Sequence, residues 1–301
     1  MQVASIGGAC VDRSYTVRGA VLGSSNPGER APRLFGGVAR NVCENLARLG
    51  IDTALVSVVG DDADGRAMLD ELRSCGARVD LVKIAEGACD EYAAILDGGA
   101  LVIGAADMRA IERFSVADLM QRWEEIAGAR FVFADCNVAP GVLNALAQPR
   151  TGGFRLAVDA VSEPKARRLP KRLDGIDVLF INEGEARAYL GCEAEPAEAA
   201  AALLARGARS VVLTRAERGV ICGDENGLAE TPAVRARRVS ATGAGDALAA
   251  GTLCRLLAGE ELRDAVRTGG ELAALTLESP RSVRADLSIE LLEARLGSRY
   301  A

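Results

Sequence analysis

The chain has 301 residues, 49% of them hydrophobic and 26% charged, with a formal net charge of −6. That length buries one large core, or one core with a small appendage. The acidic balance excludes a general nucleic-acid binder, which needs a concentrated basic surface, and the lack of any histidine excludes Ser/His, Cys/His and His–metal mechanisms together. Proton transfer then falls to Asp, Glu, Lys, Tyr or Cys. No apolar run reaches the ~18 residues of a membrane span, and Met1–Ile6 reads as a first strand, not a signal peptide. The expectation is a soluble, cytoplasmic protein with no membrane or nucleic-acid partner. Its eight cysteines form no Cys-x-x-Cys pair and are expected as small buried apolar residues in a reducing compartment.

In chain order, continuous Val/Ile/Leu runs mark strands at 2–7, 53–59, 130–134, 154–159, 177–181 and 210–214. Helical patterns fall at 37–49, 64–75, 139–147, 183–190, 196–206, 245–258, 260–277 and 288–296. In the first of these helices Val38, Val42, Leu46 and Leu49 form the apolar stripe and Gly50 ends it. Unbroken apolar strands alternating with amphipathic helices predict an α/β fold: a mostly parallel sheet with helices on both faces. Two segments interrupt the alternation. One is 11–35, with the turn-rich Gly23–Gly28. The other is 91–105, a hairpin in which Tyr92–Leu96 and Leu101–Ile103 flank Asp97, Gly98 and Gly99. Neither makes a domain alone; together they predict a small β-sheet over one end of a core made of 1–10, 36–90 and 106–301.

The strongest local motif is Thr242-Gly243-Ala244-Gly245-Asp246, opening a helix. Small residues let the backbone turn tightly and leave N–H groups unpaired at the helix start, where anions bind. Asp246 there is placed to accept a proton from an alcohol attacking a phosphorus held by those amides. A glycine-rich turn whose Asp stabilises the helix start explains the motif equally well when it is taken alone. It is neither a Walker A loop nor a dinucleotide fingerprint. A second motif, Gly36-Gly37-Val38-Ala39-Arg40-Asn41, allows close backbone approach to a ligand with Asn41 one turn inside the helix, or is an ordinary helix start. Asp12, Asp135, Asn137 and Asp159 follow strands, where ligands of parallel sheets gather. Asn182-Glu183-Gly184-Glu185 follows another, its carboxylates being candidate Mg²⁺ holders, directly or through water, or helix-start acidity.

In order and spacing, Gly36-Gly37 with Asn41, Asn182 with Glu185, and Thr242 to Asp246 resemble the ribokinase (PfkB) family over nearly the whole chain. The resemblance implies a three-layer α/β/α core with a small β-lid and phosphoryl transfer from ATP to an alcohol. Asp246 would be the base, with Gly243, Ala244 and Gly245 as the anion hole. It further implies Asn182, Thr214, Gly219 and Thr242 on the nucleotide side, and Glu185 with Asn182 holding Mg²⁺ through water. A monovalent cation such as K⁺ would lie near the anion hole, where 278–282 is either its border or a plain loop. Asp12, Asn26, Gly36, Gly37, Arg40, Asn41, Asp107 and Asn137 would hold the acceptor. Within the family, Ser25–Gly28, Ala134-Asp135-Cys136-Asn137, Asp107-Met108 and Asp286-Leu287-Ser288 are similar to the pseudouridine kinases, which implies the 5′-hydroxyl of pseudouridine as acceptor. The alternatives are ribose, 2-keto-3-deoxygluconate, adenosine or inosine, or a non-catalytic sugar-binding relative. Pairing of two copies through the lid is also implied. Two positions depart from the family pattern: Phe180-Ile181 replace Lys-Pro before Asn182, and Ala216 stands for the first glycine of Thr-x-Gly-x-x-Gly.

Overall fold

The computed structural model describes residues 1–98, 100–148, 153–239 and 242–297. Its strands are β1 (Val3–Ile6), β2 (Cys10–Val17), β3 (Gly28–Arg30), β4 (Leu34–Gly36), β5 (Thr53–Val56), β6 (Val58–Gly60), β7 (Lys83–Ala85) and β8 (Asp90–Asp97). They continue with β9 (Ala100–Asp107), β10 (Phe131–Asp135), β11 (Arg155–Asp159), β12 (Val178–Asn182), β13 (Val211–Thr214), β14 (Val220–Asp224) and β15 (Gly227–Thr231). The helices are α1 (Val38–Arg48), α2 (Ala63–Ser74), α3 (Arg109–Glu112), α4 (Val116–Gln121), α5 (Trp123–Ala127) and α6 (Pro140–Leu146). After them come α7 (Glu163–Ala166), α8 (Glu183–Leu190), α9 (Pro196–Ala205), α10 (Ala244–Leu257), α11 (Leu262–Leu277) and α12 (Ile289–Gly297).

The large sheet runs β15-β14-β13-β12-β11-β10-β1-β5, parallel from β13 to β5 and antiparallel through the β13–β14–β15 edge. Successive side chains of a strand point to opposite faces, and both faces here are apolar. Phe131 and Phe133 join Val42 and Leu46 of α1, Leu72 of α2 and Leu253 of α10 in one core. Val132 and Ala134 join Leu143 of α6, Ala186 of α8 and Leu203 of α9 in the other. Two helical layers therefore sandwich the sheet, as a parallel sheet requires.

The second sheet holds β3-β2-β8-β9 with β4 on β2, and takes in the two interrupting segments. Of the expected hairpin turn, Gly99 lies outside the described residues. β2 pairs β8 in parallel, setting Asp12 beside Tyr92, and β4 leads directly into α1. Apart from Asn137, which follows β10, the acceptor-side candidates therefore ride on the small sheet, its loops and the helix that leaves it. All eight cysteines are free, and only Cys192 is exposed. Among the described residues no helix is long and apolar enough to cross a membrane.

Candidate active site

The site lies at the carboxyl ends of β1, β10 and β11, where α1 and α10 begin. Asp135, fully buried at the end of β10, organises it. One of its oxygens accepts from the backbone N–H of Gly8 at 2.9 Å and of Ala39 at 2.8 Å. The other accepts from the N–H of Asn137 at 2.9 Å. One carboxylate thus ties the loop after β1, the start of α1 and the loop after β10 together. Burial pushes its acid upward, against those three amides.

Gly37 precedes α1 with φ 99, and a Cβ there would lie 2.4 Å from the carbonyl oxygen of Gly8. Only glycine lets these two backbones meet. One turn on, the Asn41 carboxamide donates to Asp246 at 2.7 Å. Asp246 sits in the first turn of α10, whose leading residue Gly243 is left-handed (φ 83) and supplies no side-chain cap. The first helical bond of α10 joins the Ala247 N–H to the Gly243 carbonyl. Among the described residues the amides before it, of Ala244 and Gly245, find no backbone acceptor, as an anion-binding helix start requires, and nothing lies within 4 Å of a Cβ built on Gly245. Burial raises the Asp246 carboxyl to about 7, opposed by the Asn41 hydrogen bond and helped by repulsion from Asp135 and Asp12. Burial likewise raises Asp12 to about 6, and its carboxylate occupies the space over Gly36.

At the neighbouring strand end, Asn182 caps α8: its side chain accepts from the Glu185 N–H at 2.9 Å, and Glu185 accepts from the Asn182 N–H at 2.8 Å. Asn182 pairs with Thr214 in register across β12 and β13. Asp159 accepts from the Val161 N–H at 2.8 Å and fixes that β-branched residue at φ 68, a strained backbone of the kind found at functional sites. Burial raises Asp159 well above the ordinary carboxyl range, and charges on Glu185 and Asp246 add to it. Glu185 is also raised, first by burial. Asp159 and Glu185 each keep one oxygen outside these backbone bonds, which suits a hydrated dication between them. Among the described residues no cluster of three metal-binding side chains is present.

A model of the pfkB family of carbohydrate kinases matches residues 1–287. The chain belongs to that family. It is 30% identical over 295 residues to the pseudouridine kinase of Escherichia coli K12, covering 95% of this chain and 94% of that protein. A carbohydrate kinase from Agrobacterium tumefaciens, 32% identical, superposes with a TM-score of 0.83 over 99% of this chain and 97% of that one. Ribokinase from Thermotoga maritima, at 17% identity, gives a TM-score of 0.87 over 98% and 99%. The chain is thus a PfkB-family sugar or nucleoside kinase, a phosphotransferase with an alcohol acceptor in a family that uses ATP.

Of the residues read from the sequence of this PfkB kinase, the fold gathers Asp12, Gly36, Gly37, Asn41, Asn137, Gly243 to Gly245 and Asp246. Three others are occupied elsewhere. Arg40 is 1% exposed; its guanidinium binds the Phe35 carbonyl and the Asn41 side chain, each at 3.0 Å, with Glu44 at 2.5 Å and Glu71 at 3.1 Å. It supports Asn41 from behind. Asn26 closes its own loop through bonds to Val21 and Ser24, and the exposed Asp107 pairs with Arg109 at 2.8 Å. On the nucleotide side, Gly219 follows a 3₁₀ turn in which Ala216 stands at φ 50. The family's glycine costs nothing in that conformation; alanine costs about 1 kcal/mol. Thr242 is exposed at the entrance to α10. Residues missed by the sequence reading are Gly8, whose added Cβ would strike Asn137, and Lys165, which donates to the Asn137 carboxamide oxygen.

With no histidine in the chain, the raised site carboxyls dominate titration between pH 5 and 7.5. A carboxyl whose folded pKa exceeds its unfolded value binds its proton more tightly in the folded state. Stability therefore falls as pH rises from the unfolded value near 4 to the folded value, about 6 for Asp12 and about 7 for Asp246. The thermal midpoint is expected to be higher at pH 5.5 than at pH 7.5. A scan that is flat, or that rises with pH, contradicts the shifts.

Proposed function

We propose that the chain transfers the γ-phosphoryl group of ATP to the 5′-hydroxyl of pseudouridine, with Asp246 as the base. The observation that carries the transfer is the Asn41–Asp246 hydrogen bond. It brings the carboxylate of the anion-binding helix start against the residue expected to hold the acceptor. Asp246 takes the hydroxyl proton as that oxygen attacks phosphorus, and the Ala244 and Gly245 amides face the charge developing on the phosphoryl oxygens. Positioning and electrostatics supply most of the catalysis in such a step. Asp12, Gly37 and Asn41 orient the sugar hydroxyls. Asn182, Thr214 and Gly219 flank the nucleotide, and Asp159 and Glu185 hold hydrated Mg²⁺, which neutralises phosphate charge when bound. The choice of pseudouridine rests on the 30% identity to the Escherichia coli enzyme and on the short motifs noted above.

ADP release measured with pseudouridine, uridine, adenosine, ribose and 2-keto-3-deoxygluconate tests the acceptor. Pseudouridine is expected to give the highest kcat/KM. A preference for ribose overturns that choice, and binding without ADP from any acceptor overturns catalysis. In this reading residues 11–35 and 91–105 act as a lid, which excludes water once the acceptor is seated. ATP hydrolysis without acceptor should therefore be at least about tenfold slower than transfer; comparable rates would contradict the lid. The same reading pairs two copies through the small sheet, whose edge strand β9 exposes Leu101 and Ile103. A solution mass of one chain removes that pairing.

A further inference from the structure

The chain carries 33 arginines and only three lysines. Lys83 forms an ion pair with Asp118, and the third, Lys171, sits before β12 with its carbonyl taken by Tyr189. Lys165, in α7 beyond the end of β11, is partly buried and donates to the Asn137 side-chain oxygen. Asn137 is 2% exposed, and Asp135 holds its backbone in place.

The ammonium settles which end of that carboxamide faces it, because lysine has only donors and must meet the oxygen. The amide nitrogen is thereby turned toward Gly8, where it would lie 2.6 Å from an added Cβ. The methyl of Met108, from the start of α3 beside the small sheet, lies 3.3 Å from the same point. Among the described residues no hydrogen bond from this amide nitrogen to protein is present, and the ammonium has two further hydrogens. The Asn137–Lys165 pair therefore presents donors and no acceptor, beside the Asp135 carboxylate, whose charge acts on both Lys165 and Asp246. Arg168 cannot replace the ammonium, since its guanidinium is committed to the Asn137 carbonyl at 2.8 Å and to Glu112 at 3.0 Å. Glu112 and Cys10 complete the charged and ionisable surroundings of Lys165, with its Coulombic partner Asp135.

We infer that Lys165, with Asn137 oriented by it, is the specificity-determining group for the acceptor's base: the pair favours bases with ring carbonyl oxygens and disfavours those with an exocyclic amino group. The inference rests on the nucleoside reading above and adds to it a reason for the choice of base. Two donors satisfy carbonyl oxygens; against an amino group they leave donor facing donor, with polar groups unpaired in a closed site. Sites built to hydrogen-bond one partner reject the mismatched analogue strongly for that reason. Uridine and pseudouridine share the accepted pattern, so this pair does not separate them.

The test compares kcat/KM for pseudouridine, uridine and cytidine in the wild type and in Lys165→Met and Lys165→Gln, with thermal midpoints measured alongside. The wild type is expected to prefer uridine to cytidine by about tenfold or more. Lys165→Met should lose about ten- to a hundredfold on the two oxo nucleosides, the usual scale for a hydrogen bond to a charged group, mainly through KM. Its KM for ATP should stay unchanged. Lys165→Gln, which offers an acceptor as well as donors, should gain on cytidine relative to uridine. A merely structural lysine would lower the thermal midpoint and all three substrates together. A uridine-to-cytidine ratio unchanged in both variants overturns the assignment while leaving the kinase reading intact. No turnover of any nucleoside by the wild type overturns the nucleoside reading and the assignment with it.

Discussion

Asp246→Asn is expected to lower kcat by roughly 10²–10⁴-fold, the scale of a lost general base, with the acceptor KM little changed. Asparagine has the same shape, and its carbonyl oxygen can still accept from Asn41, which binds the aspartate at 2.7 Å. Only the capacity to take a proton is removed. The wild-type kcat/KM should rise with pH through about 7 and level off above it, because burial raises Asp246 to about 7 and the base must be ionised to act. The variant should lack that rise. It should also melt at a higher temperature than wild type at pH 7.5, since the amide escapes both the desolvation of a carboxylate and repulsion from Asp135 and Asp12. Near-normal turnover in steady-state assays, or an unchanged pH profile, would remove Asp246 from the role.

The architecture was legible wherever a single periodicity governed a segment. Five of the six expected strands matched to within two residues because both faces of the sheet are covered, so no alternation obscures them; the sixth, expected at 53–59, divides into β5 of the large sheet and β6, which pairs with β7. The β14–β15 edge was not foreseen: β15 is largely exposed and carries no strand-like run, and β14 offers only the three-residue apolar run Val220–Cys222. Helices of four to six residues, α3, α4, α5 and α7, are too short to display a 3.6-residue period.

The site divides along similar lines. Backbone motifs such as Gly37 and Gly243 announce themselves because glycine composition reflects conformation and close approach. Asp135 shows only as an acid after a strand, since its partners Gly8 and Ala39 lie 127 and 96 residues away. Arg40 was read as an acceptor contact from the family resemblance. Adjacent helical residues point about 100° apart, and α1 is buried from Ala39 to Leu46, so its second face meets protein as well. A buried arginine there must find acceptors, and Glu44 and Glu71 supply them. Lys165 had a compositional signal, rarity against 33 arginines, that periodicity does not register.

Gly243→Ala and Gly245→Ala separate the two demands on the anion-binding turn. At Gly243 the backbone is left-handed, and an added Cβ would lie 2.0 Å from the Ser282 carbonyl oxygen in the loop after α11. Alanine must therefore shift either the start of α10 or that loop, at a cost of about 1–3 kcal/mol in backbone strain. The displacement turns the Ala244 and Gly245 amides off line. Losing an aligned oxyanion donor lowers kcat by roughly 10²–10³-fold. Gly245 has no atom within 4 Å of an added Cβ, so Gly245→Ala should keep the wild-type thermal midpoint. Its methyl instead enters the space left for the phosphoryl oxygens, and kcat should still fall by roughly tenfold or more. The checking measurement is a thermal midpoint and a kcat for each variant. A stable, fully active Gly243→Ala would show that the turn tolerates a side chain and that its amides do not carry the transfer. A fully active Gly245→Ala would place the phosphoryl group away from the start of α10. That outcome would also leave Asp246 a helix-start carboxylate without an attacking hydroxyl to serve.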